Sequence, residues 1–121
     1  MANTGVFKIG AWKDCQIDIS DSTTLSDEVD LGHDFTHLLV LVPTITSTQI
    51  SVQVAKGSGG TYYPVYDFLD SDADTDVLQA TVAATTSKAI IFKIGAVRFI
   101  KLLSSQAQAS DRDFVVRGFN L

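Results

Sequence analysis

Residues 48–67 read TQISVQVAKGSGGTYYPVYD. Ile50, Val52 and Val54 alternate there with Ser51 and Gln53, the period of two that puts one side of a strand in a core and the other in water. Gly57-Ser58-Gly59-Gly60 follows, and glycine supplies the positive φ that a tight reversal needs. A second run, Tyr62, Tyr63, Val65 and Tyr66, completes a predicted β-hairpin. The same style extends along the chain. Strands are predicted over 6–12, 15–20, 28–31, 37–42, 49–55, 62–66, 78–84, 88–94, 98–103 and 114–119, divided by turn signals at Ser20-Asp21-Ser22, Gly32-His33-Asp34, Pro43-Thr44, Gly95 and Ser110-Asp111. Many short strands at even spacing predict an all-β fold, a single antiparallel β-sandwich of jelly-roll-like form. Pro64, inside a strand-like run, marks an edge strand or a bulge, because proline donates nothing to a ladder. Leu39, Leu41, Val52, Ile91 and Phe99 are the expected core.

Composition sharpens the fold class. The chain has 121 residues, one domain's worth, and 45% are hydrophobic, enough for a core without disulfides or a metal. Of 14 acidic residues 13 are Asp, and Glu28 is the sole glutamate. Asp favours turns, whereas the Thr, Val, Ile and aromatic residues favour strands. Residues 15–121 form the expected sandwich domain. Residues 1–14 carry Val6, Phe7, Ile9 and Trp12 ahead of the regular strands, and read either as a first strand or as an arm docking on a neighbour.

The net charge of −5, with nine scattered basic residues, argues against direct nucleic-acid contact, since phosphate needs a basic face. Cys15 stands alone, so no intrachain disulfide is expected and the thiol reads as a small buried hydrophobe. Residues 1–10 lack the pattern of a signal peptide, and no apolar run reaches the ~18 residues of a membrane span.

Candidate chemistry is sparse. DFLDSDADTD (67–76) alternates carboxylates as a calcium loop does, but Thr75 and Thr81 stand where an EF-hand has Gly and Glu; no tight divalent metal is expected. His33 and His37 run from a turn into a strand, where four residues span about 13 Å, too far for one ion. No nucleophile elbow or phosphate loop is present, and a pair of cleft carboxylates is not expected with one Glu. The chain therefore reads as no enzyme, with no cofactor. Trp12, Tyr62 and Tyr66 suit either a sugar-stacking platform or a protein interface.

The line LSDEVDLGHDFTHLLVLVPTITSTQISVQVAKGSGGTYYPVYD, with VRFIKLLSS and FVVRGF after it, resembles the small β-sandwich virion proteins of tailed bacteriophages. There a "vdLg" strand precedes an apolar strand ending in Pro, then an "i-x-v-q-v" strand, a Gly turn and an aromatic strand. The likeness covers about residues 25–119. It implies a non-enzymatic head decoration or cement protein, bound to the major capsid protein on the capsid surface after synthesis in the host cytoplasm. A tail or neck component, or a carbohydrate-binding module, is the alternative. Homo-oligomerisation is expected, with Phe7, Trp12, Tyr62 and Tyr66 as partner-binding candidates; no nucleic-acid or membrane partner is.

Overall fold

The computed structural model describes residues 8–66, 79–82 and 87–121. Seven strands lie among the described residues: β1 (Lys13–Ile17), β2 (Val29–Val42), β3 (Thr48–Ala55), β4 (Tyr62–Pro64), β5 (Gln79–Val82), β6 (Lys88–Ser104) and β7 (Arg112–Phe119). All pairings are antiparallel. The all-β class is as the sequence predicts. Its hydrogen bonding differs from two separately bonded layers: one continuous sheet runs β1-β7-β2-β6-β3-β4, with β5 also on β3.

Two long strands make this possible. β2 and β6 each join two segments that the sequence separates, because Gly32 and Gly95 read as turns. In the structure Gly32 (φ 93°) and Gly95 with Ala96 (φ 74° and 68°) are irregularities inside strands. The register of β2 on β6 shifts between Asp30 and Phe35 and again before His37. Bulges of this kind bend a strand and increase its twist. Thus one end of β6 pairs with β2 at residues 37–42, and the other carries β3 at residues 99–104. Ahead of β2, the amide of Asp27 donates to the Gln16 carbonyl of β1 (3.0 Å) and that of Ser26 to Leu102 of β6 (2.9 Å).

One core lies within this curled sheet. Ile17 of β1, Leu38 and Val40 of β2, Ile50 and Val52 of β3, Phe92, Ile100 and Leu102 of β6, and Phe114 and Val116 of β7 belong to a single buried cluster. Val52 is buried as expected. Leu39, Leu41, Ile91 and Phe99 are not: Leu41 and Ile91 are 39% and 62% exposed, and Leu39 and Phe99 are half-buried. The facing of β2 and of both halves of β6 is therefore one residue from the expected one. Leu38, Val40, Phe92, Ile94, Ile100 and Leu102 point inward instead. Both alternating sets are apolar over 38–42 and 89–92, and over 99–103 only Lys101 marks the outer set, so the period of two leaves the face poorly decided, and a one-residue change reverses it.

The hairpin of β3 and β4 forms where predicted, with Ala55 opposite Tyr62 and Gly59 at φ 71°. Residues 8–12 lie along the end of β7: Gly10 N–H donates to Gly118 C=O (2.7 Å), and Asn120 N–H to Lys8 C=O (2.8 Å). Phe35 fills the space beside both glycines. A Cβ on Gly118 would collide with its ring, and one on Gly10 would sit 2.9 Å from Cζ.

Candidate interaction face

The reversed facing leaves an apolar surface outside the sheet, across β1, β7, β2 and β6. Cross-strand partners share a face, so the register lists its rows. The first row is Ile9, Phe119, His37 and Lys93. The second is Arg117, Leu39 and Ile91, with Trp12 stacked on Arg117. The third is Asp14, Val115, Leu41 and Ala89. Eight of these twelve residues are apolar. Ile9, Trp12, Leu41 and Ile91 are all large and exposed, and their convergence on one face exceeds the scattered apolar exposure of ordinary surfaces.

The polar residues within the face are held in place. The Arg117 guanidinium carbon lies 4.3 Å from the Trp12 ring centroid, and its Nε donates to the Gly10 carbonyl (3.0 Å). The His37 ring stacks on Phe119 at 5.3 Å, with Nδ1 2.8 Å from the Thr36 hydroxyl. Lys93 and Asp14 occupy opposite corners, both exposed. An apolar surface with an Arg near its centre, a Trp stacked on it from one edge and charges at the corners is the chemistry of macromolecular contact.

The other candidate residues lie elsewhere. Phe7 and the acidic stretch 67–76 fall outside the described residues. Tyr62 is half-buried and donates to Glu28 Oε1 (2.5 Å); Lys101 Nζ sits 4.8 Å from its ring centroid, covering one face of the ring. Burial, and then the Glu28 carboxylate, pushes the phenol well above its ordinary pKa. Tyr66 is 48% exposed. Tyr63, the most exposed tyrosine, lines an open depression of ≈ 410 Å³ with Lys56, Ala96 and Arg98 among others.

Sequence reading missed Glu28. Its carboxylate accepts from the Ser58 hydroxyl (2.6 Å), the Gly59 amide (2.9 Å) and Tyr62. These bonds, Ser58 first, hold its pKa below the usual carboxylate range. The only glutamate thus fastens the glycine turn to the segment before β2. The partners lie about thirty residues apart, so no local pattern announces them, and the lone Glu in an Asp-rich chain is the one available hint.

Cys15 is buried and donates to the Ser26 hydroxyl oxygen (3.2 Å). Burial pushes its thiol up to about 11, which suppresses thiolate chemistry. His33 meets Phe35 edge-on, and among the described residues no His, Cys, Asp or Glu group could hold a metal ion.

This is an all-β chain in which one antiparallel sheet curls around one core and carries an apolar outer face. No family model and no curated protein matches it. Its fold is similar to the crystal structure of the SPBc2 prophage-derived protein YomS, at 15% identity and a TM-score of 0.50, over 90% of this chain and 95% of that one.

Proposed function

We propose that this chain is a non-enzymatic structural protein of a tailed-phage particle, which decorates the head by binding the major capsid protein as a homo-oligomer. The observation that carries the reading is the whole-length similarity of fold to a prophage-derived protein: 95% of that chain is covered, so the likeness is to an entire protein of similar size. The resemblance of residues 25–119 to small virion proteins of tailed bacteriophages points the same way. The exposed face of Trp12, Leu41 and Ile91 supplies a surface for assembly, and the stapled hairpin a rigid body on which to present it.

Purified particles test the reading. The protein is expected in them by mass spectrometry, and should co-sediment with tail-less heads at a copy number in step with the capsid lattice. Its absence from particles would overturn the structural role. Its presence only on isolated tails or necks would overturn head decoration.

A further inference from the structure

The apolar outer face is self-complementary, and we infer that it pairs with the same face of a second copy of this chain. The inference takes the homo-oligomer of the proposed function and assigns its surface; it does not depend on the particle.

The argument begins with the shape of the face. Lys93 lies at the β6 end of the first row, and Asp14 at the β1 end of the third. Four strands at about 4.8 Å spacing place those ends about 14 Å apart across the sheet. Rows four residues apart along a strand lie about 13 Å apart. The face is therefore nearly square, with opposite charges at two diagonal corners. A two-fold axis lying in the interface along the other diagonal exchanges the corners. It sets Lys93 of each copy over Asp14 of its mate, and closes two ion pairs with one operation.

The same operation fits the apolar residues. The diagonal axis turns the strands of one copy across those of the other, the orthogonal mode of sheet packing. Ile91, mid-edge on β6, then falls between Val115 and Leu41 of the mate. Trp12, mid-edge just ahead of β1, falls between Phe119 and His37. No charge is set over a like charge at the corners. Arg117, near the centre, is the one charge set close to its own image; each guanidinium is already stacked on Trp12 and bonded to Gly10, so little freedom is lost when it is covered. With half a spacing added around its outer residues, the face spans roughly 400 Å² in projection, within the roughly 300–600 Å² of a monomer's largest, often functional, apolar patch. Its side chains stand proud of that plane, which brings the accessible surface covered towards the roughly 600 Å² per partner of the smaller stable interfaces.

Sedimentation equilibrium across a concentration series tests the pairing. The wild type is expected to dimerise, and Ile91→Lys to be monomeric while melting within a few degrees of wild type, since that side chain is 62% exposed. Asp14→Lys and Lys93→Asp should each weaken the dimer roughly tenfold or more, by bringing like charges together. The double swap should restore it, a recovery that general damage to the fold cannot produce. A monomeric wild type, or a dimer indifferent to Ile91→Lys, would overturn the inference. So would single swaps that the double swap fails to rescue. If wild type were monomeric while Ile91→Lys lost its binding to heads, the face would belong to the capsid contact: self-pairing would fall and the decoration reading would stand.

Discussion

At the scale of single residues, Gly118 and Phe35 share one constraint. Phe35 is 1% exposed, and its ring occupies the space a Cβ on Gly118 would take. Gly118→Ala should lower stability by about 1–3 kcal/mol, the usual cost of overpacking a filled core, read from the shift of a urea midpoint. Asp30 makes a contrasting case at the surface. It accepts Arg98 Nε and Nη2 (2.6 and 2.9 Å) and the Gly32 amide (2.8 Å), and the Arg98 hydrogen bonds lower its pKa to about 2. A carboxyl whose folded pKa is depressed contributes stability above its unfolded pKa and loses it as pH falls through the folded one. Wild type should therefore exceed Arg98→Gln at pH 7 by a small margin, because both side chains are about half exposed and solvent screens the pair. The gap should close between pH 4 and pH 2. A gap unchanged at pH 2 would show that the guanidinium acts by packing on Phe99, 5.4 Å away, and not through the carboxylate.

Strands and turns show what local pattern can and cannot reveal. The β3–β4 hairpin is legible because its alternation is clean and its glycines sit between the two runs. β2 and β6 are not legible as long strands: a positive-φ glycine serves equally in a reversal and in a bulge, and only the partner strand decides between them. The facing of residues 38–42 and 89–92 is hidden for another reason, since both sides are apolar. That ambiguity also hid the candidate face, whose rows exist only once four registers are known. Of its members, the sequence marks only Trp12 as a partner-binding candidate, with Ile9 in the same apolar stretch. Burial now separates neighbours that look equivalent in sequence. Leu38→Ala should cost about 2–5 kcal/mol as a core truncation, whereas Leu39→Thr should stay within about 1 kcal/mol on the outer face; equal losses would contradict the observed facing. For the turn, Glu28→Gln removes the charge that three donors share. It should speed amide exchange at Gly59 while leaving exchange at Val52 nearly unchanged, because only the local opening of the turn is affected.

On the scale of the whole molecule, the decisive feature is that one core serves β1, β2, β3, β6 and β7 together. Cys15 pairs with Phe114 and Ile50 with Ser104, each across more than fifty residues, so little of the sheet forms from local contacts and folding should be slow for the chain's length. β3 contributes Val52 to the same cluster to which β7 contributes Phe114 and β1 contributes Ile17, although β1 and β3 lie far apart in strand order. An unpaired carboxylate at position 52 costs several kcal/mol when buried, a large part of the ~5–15 kcal/mol that holds a domain folded. Because β6 runs unbroken from its β3 pairing at residues 99–104 to its β2 pairing at residues 88–93, that loss is transmitted through a continuous strand into the half of the sheet where β7 and β1 lie. Val52→Asp should therefore abolish amide protection at residues 114–116 together with protection in β3, in a single transition by heat or urea. If β1 and β7 kept their protection while β3 and β4 lost theirs, the curled sheet would consist of two separately stable units. The outer face would then stand on one unit alone, and could pair with a second copy even after β3 had opened.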